Sequence, residues 1–275
     1  ATFGDLVRVP GSCNKSLSIQ RAEGARVEIV YSPLDSLNLA EKNLDKEIVF
    51  LAVGFETTAP AIALMLKEAK LRGIENLKVL LSIKTMPAAM EKLILDEDIK
   101  LNGFMCPGHV ATIIGINKFN NLAERYMMPM AICGFQAVDI LGGILTIIDA
   151  IEQREYICVN RYSRVVREYG NLAALKVLKE VFEPSSASWR GLEIIEDSGL
   201  KLRKEYEEFD AELKYSLKTV DEKAISGCIC GEILKGKKLP HQCSLYKVKC
   251  TPQRPIGPCM VSTEGTCGIA YAFEE

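Results

Sequence analysis

Short runs of β-branched and apolar residues alternate with helical stretches between Ala25 and about Ala150. The runs predict five strands, at Val27–Tyr31, Ile48–Val53, Lys78–Ser82, Gly103–Cys106 and Met130–Cys133. Helical spacing of apolar residues between them predicts helices at Leu34–Lys42, Pro60–Arg72, Pro87–Leu95, Val110–Ile116 with Phe119–Tyr126, and Val138–Ile151. Because strands that alternate with helices at this spacing form βαβ units, the pattern predicts an α/β fold with a mostly parallel sheet.

The pattern changes after Tyr156. Leucines at helical spacing predict a surface helix at Glu168–Phe182, and the proline and serines of Pro184–Trp189 predict a linker. Four apolar residues in the next charged segment predict a helix that packs one stripe into the core: Leu202, Tyr206, Phe209 and Leu213. We therefore expect two regions. An α/β region covers residues 1–155, and a helical, loop-rich region covers residues 156–275 and carries a cysteine-rich segment at 228–267.

Composition and charge exclude several classes of function. The 275 residues are 48% apolar, enough to build a sizeable core, and their 34 basic and 36 acidic residues give a net charge of −2. This balance provides no overall attraction for nucleic acid or for a membrane surface. No apolar run reaches the roughly 18 residues that span a bilayer. We expect a soluble protein, and its many thiols favour a reducing compartment such as the cytoplasm.

Six of the ten cysteines lie between residues 228 and 267. Four of them form the frame C-x14-C-x6-C-x16-C, and we call them the frame cysteines: Cys228, Cys243, Cys250 and Cys267. The other two, Cys230 and Cys259, lie inside the frame. Thiolates at this density suit an iron–sulfur cluster or zinc, and the remaining pair suits redox chemistry. Structural zinc usually takes C-x2-4-C pairs, which are absent here, and disulfide bonds are more typical of small secreted domains.

The segment around these cysteines is basic and rich in glycine and proline. We expect loops rather than long helices to present the sulfurs. Between residues 228 and 267, six Lys or Arg residues stand against two Glu residues, which gives a net charge of +4 before any thiolate is counted. Positive charge would stabilise an anionic cluster, and it would equally suit contact with an acidic partner. The charge alone does not distinguish these two interpretations.

Two of the predicted strand ends carry residues with chemical potential. Glu56 follows one strand, where a general base or a metal-facing oxygen would lie, and His109 follows another. Because ligands bind beyond the carboxyl ends of parallel strands, we expect Glu56 and His109 to face a common cleft with Cys106 nearby. The start of the following helix favours a thiolate at Cys106. The alternative is that Thr57, Thr58 and His109 only cap helices.

Several separated motifs resemble those of the hydrogenase maturation protein HypD family. The matching segments are Gly4–Ser12, Gly54–Pro60, Pro107–Gly115, Trp189–Gly191, Ser198–Leu200 and the terminal cysteine array. The resemblance is specific because these motifs occur in the family's order over essentially the whole chain. It also implies that the family's proposed iron-ligand cysteine and its Cys-Pro-x-Cys pair would lie ahead of Ala1.

The resemblance implies a function and a role for each candidate residue. The four frame cysteines would hold a [4Fe–4S] cluster, and Cys230 and Cys259 would form a redox-active pair beside it, as in ferredoxin:thioredoxin reductase. The family assembles the Fe(CN)2CO unit of [NiFe]-hydrogenase with a HypC-type chaperone and receives cyanide from a HypE-type protein. In the cleft, His109 would transfer protons or contact this transient iron, and Glu56 would orient polar groups. The alternative function is that of a stand-alone thiol–disulfide reductase of the ferredoxin:thioredoxin reductase type.

Overall fold

Strands and helices alternate along most of the chain in the computed structural model, which describes residues 1–11, 15–99, 101–189, 192–217 and 227–274. The strands are β1 (Thr2–Phe3), β2 (Ile29–Val30), β3 (Ile48–Gly54), β4 (Leu77–Ile83), β5 (Phe104–Pro107), β6 (Met130–Cys133), β7 (Cys158–Asn160), β8 (Phe182–Trp189) and β9 (Glu193–Leu202). The helices are α1 (Leu17–Ala22), α2 (Pro33–Lys42), α3 (Ala59–Arg72), α4 (Met86–Ile94), α5 (Gly108–Ile114), α6 (Asn117–Tyr126), α7 (Ala137–Gln153), α8 (Leu172–Val181), α9 (Ala211–Tyr215), α10 (Cys230–Leu234), α11 (Pro258–Val261) and α12 (Thr266–Phe273).

The α/β fold class is confirmed. All five strands predicted before residue 150 are present, and so are the helices between them, with ends that differ from the prediction by at most two residues. Every pairing within β1–β2, β3–β4 and β5–β6–β7 is parallel. The agreement has a physical cause, because each of these elements buries one face and so shows its period in the sequence.

The first sheet joins β1 to β4. Strands β3 and β4 pair in parallel from Ile48 opposite Leu77 to Gly54 opposite Ile83. The amine of Ala1 donates to the Val49 carbonyl at 2.8 Å, and the Leu51 amide donates to the Ala1 carbonyl at 2.9 Å. Because β1 also pairs with β2, these bonds place β1 between β2 and β3 in one parallel layer.

Local sequence sets the ends of the covering helices. At the start of α2, the Ser32 hydroxyl accepts from the Leu34 amide at 3.2 Å, and the Asp35 carboxylate accepts from the Ser32 amide at 2.9 Å. This reciprocal capping satisfies backbone donors that the first helical turn leaves unpaired. At the C-terminal end of α3, Gly73 adopts a φ of +66°, a conformation that costs little only for glycine, and the helix ends there.

The core of this first unit lies between the sheet and helices α2, α3 and α8. Phe50 and Leu66 are fully buried there, and each side chain of this size contributes about 1.5–3 kcal/mol by leaving water. Val181 and Phe209, from much later in the chain, are buried in the same cluster. The predicted division of the chain at residue 155 stays a prediction, although packing links segments on both sides of it.

The second sheet consists of β5, β6 and β7, with α5, α6 and α7 around it. Phe119, Ile132 and Met130 fill its core and are at most 1% exposed. Helix α7 approaches β6 closely at Gly143, where a Cβ atom would lie 2.1 Å from the Cys133 sulfur. None of the helices in the described part of the chain is long and apolar enough to cross a membrane.

The linker predicted at Pro184–Trp189 is wrong. This segment belongs to β8, which pairs with β9 in an antiparallel hairpin from Phe182 opposite Leu202 to Trp189 opposite Glu193. Exposure alternates along β8 with the period of two that a strand requires. Proline and serine residues suggested a turn locally, but the hydrogen bonds that make this segment a strand come from residues further along the chain.

The continuous helix predicted over Leu202–Leu213 is also wrong. Leu202 ends β9, a 3-10 helix covers Lys204–Phe209, and α9 begins only after Asp210. The Asp210 carboxylate accepts from the amides of Glu212 and Leu213 at 2.8 and 3.2 Å, so it starts a new helix instead of continuing the old one. The helix predicted at Glu168–Phe182 exists in shorter form as α8.

Candidate functional site

The six cysteines of the C-terminal segment line a single cavity. Its remaining wall is formed by Ile233, Leu245, Tyr246, Gly257 and Met260. Short helices and tight turns present the sulfurs, as the prolines and glycines predicted. The fold therefore brings together thiols that are up to 39 positions apart in the sequence, from Cys228 to Cys267.

The frame cysteines are held by backbone groups as well as by packing. The Ile256 amide donates to the Cys250 sulfur at 3.3 Å, and the Cys243 thiol contacts the Gly227 carbonyl at 3.9 Å. Cys250, Cys243 and Cys267 are buried, whereas Cys228 is half-buried. An amide directed at a sulfur stabilises negative charge on it, so the Cys250 position suits a thiolate ligand.

A glycine makes room for one of these sulfurs. A Cβ atom on Gly257 would lie 2.7 Å from the Cys228 sulfur and 3.8 Å from the Cys230 Cβ atom. Gly257 has a φ of −95°, which any residue adopts, so backbone conformation is not the reason for glycine here. The reason is the close approach of the backbone to the sulfur.

Cys230 and Cys259 form a pair inside the frame. Their sulfur atoms are 2.8 Å apart, and both residues are buried. Cys230 begins α10 and Cys259 lies in the single turn of α11, so two short helices bring the pair together. A disulfide bond of about 2.0 Å needs only a small further approach of the two sulfurs.

The crowding of thiols controls their protonation. The Cys230 thiol, burial and neighbouring sulfurs together raise the pKa of Cys259 far above its usual value. Burial first, and then the surrounding cysteines, raise the pKa of Cys267 to about 11. The neighbouring sulfurs make Cys259 and Cys267 harder to ionise, because thiolates repel one another in an apolar cavity. A bound cationic centre would remove this repulsion and displace the protons.

The donor chemistry of the cavity fits an iron–sulfur cluster better than a hard metal ion. Its lining, as far as the structure describes the chain, offers sulfur and no carboxylate or imidazole group, and soft thiolates select zinc and iron–sulfur clusters. In residues 1–11, 15–99, 101–189, 192–217 and 227–274, no group of three or more His, Cys, Asp or Glu side chains is arranged to chelate one metal ion. The four sulfurs of the frame instead surround a shared cavity.

Ion pairs connect the cysteine segment to the end of helix α4. Lys235 lies 2.9 Å from the Asp96 carboxylate, and Lys237 lies 2.8 Å from Asp98 and 3.9 Å from Asp96. Asp96 follows the end of α4, so these contacts tie the loop after α10 to that helix. The side chains of Lys235 and Asp96 are only about 20% exposed, and a pair this sheltered is less screened by salt than a surface pair.

Glu56 is buried at the end of β3. Its Oε1 atom accepts a hydrogen bond from the Met86 amide at 2.7 Å, at the first residue of α4, and its Oε2 atom has no hydrogen-bond partner among the described residues. Burial raises the pKa of this carboxyl group, although hydrogen bonds from the backbone oppose the shift. Thr58 precedes α3 without a side-chain capping bond, so Glu56 at α4 is the residue that caps a helix here.

At the strand end that carries Glu56, the fold gathers Lys84, which sequence reasoning missed, with Trp189 and Ser198, which it named only as parts of motifs. Lys84 donates to the Ser188 carbonyl, and its amine lies 5.5 Å from the centre of the Trp189 ring. Trp189 in turn donates to the Ser198 hydroxyl at 2.7 Å. Burial lowers the pKa of Lys84. The matched segments at Gly54, Trp189 and Ser198 thus converge at the carboxyl ends of β3 and β4, while Ser12, Arg190 and Gly191 lie outside the described residues.

His109 is exposed at the carboxyl end of β5. Its ring lies 5.5 Å from the Phe135 ring, and Pro107, the residue before α5, makes no side-chain capping bond. His109 and Glu56 therefore stand at the ends of strands in two different sheets, and a common cleft for them stays a prediction. The thiolate predicted at Cys106 is wrong: the adjacent Cys158 thiol and burial raise the pKa of Cys106 well above its usual value.

One family model and several curated proteins are similar to this chain along its length. The model, described as "HypD: Hydrogenase formation hypA family", matches residues 1–274. A putative hydrogenase expression/formation protein from Methanocaldococcus jannaschii is 42% identical over 272 residues, which cover 99% of this chain and 75% of that protein. Hydrogenase maturation factors HypD from Rhodobacter capsulatus and Azotobacter vinelandii are 39% and 37% identical over 277 and 278 residues, covering 99% of this chain and 73% of each relative.

Proposed function

This chain belongs to the HypD family of hydrogenase formation proteins, and we propose that it acts in hydrogenase maturation as a redox-active scaffold for the Fe(CN)2CO unit. The observation that carries this proposal is the cavity lined by six cysteines, with two of their sulfurs 2.8 Å apart. A thiol-lined cavity and a dithiol side by side can hold a metal cluster and exchange electrons with it.

In this proposal the frame cysteines hold a [4Fe–4S] cluster. The cluster, when bound, supplies single electrons next to the dithiol. The Ile256 amide at the Cys250 sulfur stabilises the thiolate form, and the space left by Gly257 lets the Cys228 sulfur take its position. The apolar wall excludes water and so limits competing oxidation of the sulfurs.

Cys230 and Cys259 act as the redox pair. Reduction of a disulfide between them takes up two electrons and two protons and yields two thiols, and oxidation releases the same number. The raised pKa of Cys259 favours the protonated dithiol, so this pair would hold its protons until electrons leave it. The pair therefore suits storage of two electrons for a partner that transfers them one at a time.

The strand ends of the two α/β units would receive the cargo iron. Glu56 has an unpartnered Oε2 atom, and His109 offers an exposed imidazole. We assign Glu56 the role of orienting polar groups through this free oxygen, and His109 that of proton transfer or iron contact. Burial lowers the pKa of Lys84, directly after β4, so this amine gives up its proton more readily than an ordinary lysine.

A partner protein would cover the outer face of α7. Val138, Leu141 and Leu145 on this helix are between 59% and 71% exposed, and Phe135, beside His109, is 68% exposed. Apolar exposure on this scale is typical of interaction surfaces. The surface is continuous with the His109 strand end, so a HypC-type chaperone docked there would lie next to the cargo iron, and a HypE-type cyanide donor would have to reach the same edge.

Anaerobic purification with iron and sulfide analysis tests the cluster. We expect about four iron and four sulfide per chain, and loss of most of both in Cys250→Ser. Cys133→Ser is the matched control, because Cys133 is equally buried but lies outside the cavity. A chain that contains zinc alone, or a Cys250→Ser variant that keeps its iron, would refute the cluster.

Copurification with a chaperone distinguishes the scaffold function from that of a stand-alone reductase. The scaffold proposal predicts a complex with a HypC-type chaperone whose iron shows cyanide and carbon monoxide infrared bands, and loss of hydrogenase maturation in Cys230→Ser. Reduction of unrelated protein disulfides by ferredoxin through this chain alone, without effect on hydrogenase, would support the stand-alone reductase instead.

A further inference from the structure

A tight turn exposes two lysines next to Cys250. The Leu245 carbonyl accepts from three successive amides, those of Val248, Lys249 and Cys250, at 3.3, 3.0 and 2.8 Å. Lys247, at the tip of this turn, has a φ of +58°, a conformation that non-glycine residues rarely adopt. Its amine donates to the Glu274 carbonyl at 3.0 Å, which fixes the side chain. The turn is thus held in one shape by several bonds.

A second turn follows on the other side of Cys250. Thr251 and Arg254 exchange backbone hydrogen bonds at 3.0 and 3.3 Å, and the Arg254 amide also donates to the Thr251 hydroxyl at 3.2 Å. The chain then returns to Cys250, where the Ile256 amide contacts the sulfur. Cys250, itself 7% exposed, therefore lies at the base of two rigid, exposed turns.

The positive charges on these turns form no ion pair with a described carboxylate, although the Lys247 amine also lies 5.6 and 5.9 Å from the centres of the Tyr246 and Tyr271 rings. Among the described residues, no carboxylate lies within 4.0 Å of the Lys247, Lys249 or Arg254 side chains, whereas Lys235 and Lys237 both form ion pairs. Val248, between the two lysines, is 75% exposed. An apolar centre flanked by unpaired cations is the composition of a surface that recognises an acidic protein.

Charge is distributed unevenly between this segment and the rest of the chain. Residues 227–274 contain six basic and three acidic residues, a net charge of +3, although the whole chain carries −2. The remainder therefore carries −5 and would repel an acidic partner. The excess positive charge of residues 227–274 would attract such a partner to the cysteine segment.

We propose that the surface formed by Lys247, Val248, Lys249 and Arg254 docks a small acidic one-electron carrier protein, which delivers electrons to the cysteine site through Cys250. Lys249 is bonded directly to Cys250, so a carrier seated on these turns would place its redox centre next to this frame cysteine. With a cluster held by the frame cysteines, the reduced carrier would lose one electron, the site would gain it, and no proton would move in this step. Two such deliveries would reduce a Cys230–Cys259 disulfide with uptake of two protons.

Only the transfer of electrons to the cysteine site rests on the proposed function. Docking of the carrier depends on charge and shape, so carrier binding and electron transfer can be measured separately. The carrier probe is an acidic plant-type [2Fe–2S] ferredoxin, used oxidised for binding by titration calorimetry and photochemically reduced for stopped-flow kinetics. A small uncharged photoreductant serves as the parallel reductant, because the basic surface should not affect it.

The test compares two charge-matched double variants of the full chain. Lys247→Glu with Lys249→Glu reverses the proposed surface, and Lys118→Glu with Lys204→Glu makes the same change at two exposed lysines elsewhere. At low salt we expect the first variant to lose about tenfold or more in affinity and in reduction rate by ferredoxin, and the second to change by less than twofold. Wild-type binding should weaken steeply as salt is raised. Reduction by the uncharged reductant should be the same in all three proteins.

The possible outcomes separate the two proposals. Equal losses in both variants, or ferredoxin binding that is insensitive to salt and to Lys247→Glu with Lys249→Glu, would overturn the docking surface. Selective binding to a chain that contains no iron or sulfide would support the surface and refute the cluster. Selective binding to a cluster-containing chain that ferredoxin does not reduce, while the uncharged reductant does, would overturn delivery through Cys250.

Discussion

Replacement of Gly257 by Ala should displace one frame cysteine and so lower the iron content of the proposed cluster site. The new Cβ atom would lie 2.7 Å from the Cys228 sulfur, whereas ordinary contact begins at 3.4 Å, so the sulfur has to move by about 0.7 Å. Metal ligands keep their distances within about 0.2 Å, and the displacement is several times larger. We expect iron and sulfide per chain to fall by more than half.

Gly257→Ala should also lower the free energy of unfolding, and a control variant can be chosen with a similar loss of stability. Overpacking by one methyl group costs about 1–3 kcal/mol, and the φ of −95° at Gly257 adds no backbone strain. Gly236→Ala is the control, because Gly236 lies in the same segment and has a φ of +69°, so alanine costs about 1–2 kcal/mol there. A Cβ atom at Gly236 meets nothing within 4 Å.

The assay measures iron and sulfide after anaerobic purification, together with urea unfolding and the alkylation rate of Cys228. Both variants should be destabilised to a similar degree, but only Gly257→Ala should lose iron and change the reactivity of the half-buried Cys228. If Gly257→Ala keeps wild-type iron, or if Gly236→Ala loses as much, the close approach of Gly257 to Cys228 has no role in forming the site.

Two further predictions concern the strand ends. Burial raises the pKa of Glu56 above its usual 4.5, so the stability that the protonated carboxyl group contributes is present below about pH 4.5 and is lost as pH rises through the raised pKa. In urea unfolding, Glu56→Gln should therefore gain stability relative to wild type as pH rises from about 4 to about 8. A difference in stability that does not depend on pH would contradict this. His109→Ala should leave folding and the iron and sulfide content unchanged, because the exposed His109 ring contacts mainly Phe135. The same variant should abolish hydrogenase maturation in a cell-based assay. Maturation at the wild-type level would show that His109 has no functional role.

Helix and strand positions before residue 150 could be predicted because each element carries its own period. Strand β6, at Met130–Cys133, was predicted with its observed ends because the four residues are buried and are bounded by Pro129 and Gly134. The same method failed at Pro184–Trp189. A hairpin strand is stabilised by its partner, and the sequence of one strand contains no information about where that partner pairs.

The chemistry of the cysteine segment was visible in the sequence, but its geometry was not. The number and spacing of the thiols, the glycines and prolines around them and the local positive charge are properties of a short segment, and they indicated a sulfur-rich site in loops. Packing between distant segments produces three features of the sites: the 2.8 Å contact of Cys230 with Cys259, the unpartnered oxygen of Glu56 and the proximity of Trp189 to Lys84.

The protonation of Cys106 also depends on packing between distant segments. The thiolate expected at Cys106 failed because burial and the Cys158 thiol, both consequences of sheet packing, outweigh the field of a helix end. Local segments thus contain the chemical groups and the periodicity from which helices and strands form, whereas packing between distant segments sets which groups meet and how much water reaches them.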